Sequence, residues 1–175
     1  LVLLTVILVP VAMLAEWNVE RSPNARWSTR AYYALALVMQ TFALFVFLAA
    51  DVLLFYIAFE ATLIPMYFLI AGWGGPTRRR AALKFLLISL AGGLAMLAGV
   101  AGVYVVSAAQ GNASFLISDL VGIDFASDAG KWLFVAFFIA FAVKAPMFPV
   151  HTWLADATEQ APAGTSALLV GVLDK

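Results

Sequence analysis

An all-α, polytopic transmembrane helix bundle is the fold class this sequence predicts, from three observations. Apolar stretches of about span length recur along the chain. Charged side chains make up only 11% of the 175 residues and hydrophobic ones 65%, whereas a soluble domain carries about a quarter charged. The mean hydropathy is +1.01. A hydrocarbon core about 30 Å thick needs about 20 apolar residues per helix, and an α-helix satisfies its own backbone polar groups there.

The runs fall at residues 1–15, 31–50, 52–71, 81–108, 132–150 and 163–175, predicting about six helices in a single transmembrane domain. The first is short for a span. The chain opens on Leu1 without an initiator Met or a basic leader, and closes on Asp174 and Lys175 inside an apolar run. It is therefore expected to be a fragment of a longer protein. Only Asp51 separates the second run from the third, which predicts a tight turn. Residues 110–130, rich in Gly, Asn, Ser and Asp, read as a polar connector.

In the fourth run, Ala91, Ala95 and Gly99, and likewise Ala98 and Gly102, recur at four-residue spacing. Such small-residue faces let neighbouring helices approach closely. The fifth run contains Lys144 followed by Pro146 and Pro149. Each proline removes an amide donor, freeing the carbonyls of Ala142 and Ala145, so a discontinuous helix is expected at Lys144–Pro149. The sixth helix is expected to begin near Pro162, with Thr165 and Ser166 as caps.

All five Trp residues, Trp17, Trp27, Trp73, Trp132 and Trp153, stand at predicted span edges, where an amphipathic indole is most stable. With alternating spans, Arg21, Arg26, Arg30, Arg78, Arg79, Arg80 and Lys84 share one face. Asp51, Asp119, Asp124, Asp128 and Lys131 share the other. The positive-inside rule makes the Arg-rich face cytoplasmic. The Arg runs read as topology anchors and lipid-headgroup contacts.

Several classes are excluded by composition. Ten basic and ten acidic residues cancel, leaving no electrostatic footprint for nucleic acid. There is no Cys and a single His, too few donors for iron–sulfur, zinc or bis-His haem ligation. No redox cofactor is expected in this chain.

Against that background Glu60 and Lys144 are energetically anomalous, since a charge at bilayer mid-depth costs about 2.5 to 3.5 kcal/mol on insertion scales. Glu60 has Tyr56 and Tyr67 on its helix as hydrogen-bonding neighbours. Pro65 frees the carbonyl of Ala61 beside it, so a bend is expected there. Either Glu60 pairs with a neighbouring helix to fix packing or it belongs to a polar pathway. Lys144 is a kink-side snorkelling lysine or a reversibly protonated site. Lys175 falls about mid-membrane at 1.5 Å per residue from Pro162. His151 is an interfacial or helix-capping group, or a proton shuttle. Buried Glu and Lys groups on separate helices suit a proton relay.

The stretch from Phe55 to Tyr67, with its Phe-Glu-Ala-Thr-Leu-Ile-Pro core, and the stretch Phe137 to Pro146 resemble the antiporter-like proton-pumping subunits of complex I, the NADH:quinone oxidoreductase. The first is most similar to the subunit M (chain 4) branch. The resemblance covers nearly the whole chain, from about the third to the eighth helix of that family. It implies that Glu60 matches the essential glutamate of the family's fifth helix, Lys144 the lysine of its discontinuous seventh, and Lys175 that of its eighth. It also implies a place beside other antiporter-like membrane subunits in a lipid bilayer of bacterial plasma-membrane type. NADH, FMN, iron–sulfur clusters and quinone are implied in partner subunits. The segment His151 to Pro162 departs from the family pattern at Ala155 and Thr158, where Pro and His are common. Two alternatives stay open: a subunit of a multisubunit cation/proton antiporter or membrane-bound hydrogenase, and a membrane scaffold that transports nothing.

Overall fold

Local capping and proline placement set where each helix starts and stops. The computed structural model describes residues 1–125 and 128–174. The first helix, α1, spans Val2–Ala15 and is followed by a 3-10 turn at Val19–Arg21. Ser28 accepts a hydrogen bond from the Ala31 amide at 3.4 Å, which starts α2 at Thr29–Leu48. Asp51 then accepts from the Leu54 amide at 2.8 Å and opens α3, Val52–Ala61. These are N-caps that satisfy amides left free by the first helical turn.

After a single interruption at Thr62 the chain continues as α4, Leu63–Trp73. The longest helix, α5, runs Arg78–Ala109. Its 32 residues extend about 48 Å, so it outreaches the hydrocarbon core. A short α6, Ile117–Leu120, precedes α7, Asp128–Lys144. Then come α8, Thr152–Gln160, and α9, Ala163–Leu168, which passes into a π-helical turn at Leu169–Leu173. Thr165 and Ser166 do not cap α9 as expected, because they lie inside it and their hydroxyls bond Tyr32 and the Thr158 carbonyl instead. Among the described residues there is no strand, only an isolated bridge between Asp51 and Leu116. The helices Thr29–Leu48, Val52–Trp73 (α3 with α4) and Arg78–Ala109 are long and apolar enough to cross a membrane.

Packing centres on α5, which contacts α3, α4, α7 and α8. Gly92, Gly99 and Gly102 of α5 abut Val143, Phe137 and Leu133 of α7, leaving no room for a Cβ. The close-approach stripe therefore keeps Gly99 and Gly102 of the expected faces but replaces their alanines with Gly92. Ala91 and Ala98 are exposed, because the face toward α7 follows the Gly92–Gly99 spacing of two helical turns. Met39, Met66, Phe85, Trp153 and Leu168 fill the main core, while Leu94 and Phe134 stand 67% and 68% exposed on the outer surface. An apolar exterior suits a lipid solvent.

The tryptophans also divide. Trp17, Trp27 and Trp132 are exposed, but Trp73 and Trp153 are buried, contrary to an interfacial reading of all five. Their indole N–H groups donate to the carbonyls of Trp27 and Val143, each at 3.0 Å. A satisfied indole is free to bury its large apolar body.

Candidate functional site

Glu60 owes its position to the interruption at Thr62. Pro65 offers no amide to the carbonyl one turn back, yet the backbone is largely mended there. The Thr62 amide donates to Ala58 at 3.2 Å, the Met66 amide to Thr62 at 3.3 Å, and the Thr62 hydroxyl to the Phe59 carbonyl at 2.6 Å. The last turn of α3 is thereby held with Glu60 pointing at α5. Its carboxylate occupies the space beside Gly93, where a Cβ would collide with it. Glu60 Oε1 is buried and has no hydrogen-bond partner. The expected bond from Tyr56 or Tyr67 to that oxygen is therefore not formed.

Lys144 is the last residue of α7. Beyond it the chain leaves the helix through Pro146 and Pro149, and the broken end is retied in two ways. The Met147 amide donates to the Ala142 carbonyl at 2.9 Å, and the Trp153 indole takes the Val143 carbonyl. The carbonyl of Ala142, expected to be free for the lysine, is thus already engaged. Lys144 is 6% exposed, and its Nζ has no hydrogen-bond partner. It stands over an aromatic face: Nζ lies 4.3 Å from the centroid of Phe59, well within cation–π range.

Glu60 and Lys144 stand within electrostatic reach of one another. They do not form one of the close ion pairs, which among the described residues are Lys84–Asp156 and Lys131–Asp128. Ser89, one turn before Gly93 on α5, adds a third buried polar atom without a partner, its Oγ. A cavity of about 280 Å³ is lined by Lys144 together with Phe55, Phe59, Thr62 and Asp174 among others. Glu60 Oε1, Ser89 Oγ and Lys144 Nζ are thus three buried polar atoms on three helices that no fixed hydrogen bond commits to one state, and Lys144 lines the cavity.

A family model described as NADH:quinone oxidoreductase/Mrp antiporter, TM, matches residues 49–175. The chain belongs to this family. NADH-quinone oxidoreductase subunit M of Mycobacterium tuberculosis is 42% identical over 206 aligned positions, covering 100% of this chain and 37% of that protein. The chain thus spans about a third of the length of the curated relatives it matches. Among solved structures, respiratory complex I from Thermus thermophilus with bound NADH contains a chain that is 32% identical. It superposes with a TM-score of 0.79 over 98% of this chain and 36% of that one. The Mrp complex from Dietzia sp. DQ12-45-1b matches at 25% identity and a TM-score of 0.74, over 94% of this chain and 18% of that one.

Within this NADH:quinone oxidoreductase/Mrp antiporter fold, two of the four candidate residues come together, Glu60 and Lys144. His151 stands apart: it is exposed at the start of α8, makes no side-chain cap, and lies 5.8 Å from the ring of Phe148. Lys175 lies outside the described residues. Sequence reading missed Phe59, Gly93 and Ser89, and the π-helical turn that brings Asp174 to the cavity. The π turn left no sequence signal. The adjacency of Phe59 to Glu60 was a usable one, since consecutive helical positions point only about 100° apart. Also missed was the tie from Lys84 to Asp156 Oδ2 at 2.7 Å, which anchors α8 to α5. Among the described residues no His, Cys, Asp or Glu cluster capable of holding a metal exists.

Proposed function

We propose that this chain is part of a proton-translocating membrane subunit of an NADH:quinone oxidoreductase, in which Glu60 and Lys144 relay protons and Lys175 is the next station. The observation that carries the reading is Lys144 itself, a buried amine at the end of a broken helix, within electrostatic reach of a half-buried carboxylate, with no hydrogen bond to hold it. A purely structural lysine would be expected to have a close partner, because leaving a buried charge uncompensated costs several kcal/mol. The family membership and the 42% identity to a subunit M support the same assignment.

In this mechanism quinone reduction elsewhere in the complex shifts charged groups along the membrane arm. The shift alters the interaction between Glu60 and Lys144, and so the proton affinity of each. Protons enter from the Arg-rich side, taken as cytoplasmic by the positive-inside rule, and pass from Lys144 toward Lys175. Moving one charge against 100 mV requires about 2.3 kcal/mol. That work comes from NADH oxidation at FMN and iron–sulfur centres in partner subunits. Other antiporter-like membrane subunits flank this one in a bacterial-type plasma membrane.

Glu60→Gln and Lys144→Ala in the assembled complex test the assignment. Each is expected to cut proton pumping into sealed vesicles to less than about a tenth of the parental rate, with assembly intact. Normal pumping in either assembled variant would eliminate the relay and leave a scaffold. The similarity to the Mrp complex favours a second reading, a cation/proton antiporter subunit. Purification of the complete protein discriminates, because an oxidoreductase partner set brings flavin and iron–sulfur absorbance.

A further inference from the structure

The Glu60–Lys144 relay leaves one question of chemistry open: what holds the lysine while it is disengaged from the carboxylate. An ammonium in a low-dielectric interior needs compensation, and two of the carbonyls at the break are already engaged. The carbonyl of Ala142 accepts from the Met147 amide and that of Val143 from the Trp153 indole. Among the described residues Lys144 Nζ has neither a hydrogen-bond partner nor a carboxylate within ion-pair distance. It has the face of Phe59, 4.3 Å from the ring centroid.

That ring is not loosely placed. It stacks on Phe55 with centroids 5.5 Å apart and planes inclined by 21°, and it packs against the cluster of Met96, Val100 and Ala140. The Phe59 carbonyl is fixed by the Thr62 hydroxyl. Phe59 and Glu60 are neighbours on the last turn of α3, so the same turn presents a π face toward the cavity and a carboxylate toward Gly93.

From this geometry, and resting on the relay proposed above, we infer that Phe59 is a positioning residue that parks the protonated lysine away from Glu60. The ring attracts the ammonium through its quadrupole but has no proton to accept or give. A lysine on the ring therefore keeps its charge and its proton. A lysine swung to Glu60 meets a group with which it can exchange one. The flexible four-carbon stem of Lys allows both positions from one backbone. Phe59 thus separates the storage of charge from its transfer.

The test is a fluorination series in the assembled complex, in which Phe59 is replaced by mono-, di- and trifluorophenylalanine. Fluorine drains the π face while nearly preserving size, so a packing role leaves the series flat. The expected result is a stepwise fall in pumping rate, reaching about threefold to thirtyfold at the trifluoro ring, with NADH–acceptor electron transfer unchanged in uncoupled membranes. Phe59→Trp, which keeps a strong π face, is expected to pump better than Phe59→Leu. A flat series in a complex where Lys144→Ala abolishes pumping would overturn the parking role and leave the relay standing. Normal pumping by Lys144→Ala would overturn the relay reading itself, and this inference with it.

Discussion

Two helices break beside the two buried charges, and they break differently. At Thr62 one proline interrupts a span, and a single residue mends it: two backbone bonds and a threonine hydroxyl carry the chain straight from α3 into α4. After Lys144 two prolines act three residues apart, and the chain leaves the bundle through exposed Met147 and Phe148 before α8 begins. Its repair comes from farther away, through the Met147 amide and the Trp153 indole. A break that local groups can mend orients a neighbouring side chain. One that needs tertiary help leaves its side chain free to choose partners. Glu60 is accordingly held against Gly93, whereas Lys144 rests on a ring.

The largest effect expected from breaking this contrast is at Gly93. Gly93→Ala places a methyl group where the Glu60 carboxylate lies, and overpacking of this kind costs about 1 to 3 kcal/mol. Pumping is expected to fall by about tenfold or more, measured as acidification of sealed vesicles. Gly102→Ala, which presses on a leucine side chain at the far end of α5, is expected to retain most of it.

Next in size is Trp153→Phe. It removes the donor from the Val143 carbonyl and leaves that acceptor unpaired, a loss of about 1 to 3 kcal/mol. The expected signature is a lower thermal midpoint together with faster proteolysis near residues 145–151. Thr62→Val at the mended break is expected to cost about 1 kcal/mol through its 2.6 Å bond to Phe59. Hydrogen exchange of the Leu63, Ile64 and Met66 amides measures it, and exchange at the Lys144 break stays unaltered. Equal responses at both breaks would dissolve the distinction between local and tertiary repair.

The smallest effect belongs to the polar loop, away from both breaks. The Thr29 amide donates to Glu20 at 3.0 Å, and this bond holds the fully exposed Glu20 carboxyl below its usual value of 4.5. A depressed carboxylate contributes stability that is present above about pH 4.5 and lost as pH falls through the lowered value. Acid titration of the thermal midpoint from about pH 5 to about pH 3 is expected to show a small decline, which Glu20→Gln removes.

Much of this was legible from the chain alone. Asp51 was readable as a turn and proved to be a cap, because an aspartate between two apolar runs has an amide to accept from within three residues. The break at Lys144 was readable because proline lacks a donor wherever it stands. The pairing of the carbonyls at the break was not readable, since that of Ala142 depended on Met147 folding back and that of Val143 on an indole from α8. The small-residue stripes were placed on the right helix and included Gly99 and Gly102, which do meet α7, but paired them with alanines and omitted Gly92. Four-residue spacing picks out two candidate faces, and only the partner α7 selects Gly92, Gly99 and Gly102.

By itself, then, the sequence determined what is local and what is set by solvent: a helical fold, the number of apolar runs, the turn at Asp51, the positions of the breaks, and the presence of two charges where lipid tolerates few. These follow from backbone hydrogen bonding within about four residues and from transfer free energies that belong to each side chain. Tertiary structure alone decided which groups meet. Glu60 faces a glycine, Lys144 faces a phenyl ring, and two tryptophans are core residues, because each contact joins helices far apart in the chain. Their register is fixed by packing, which no single run of residues encodes.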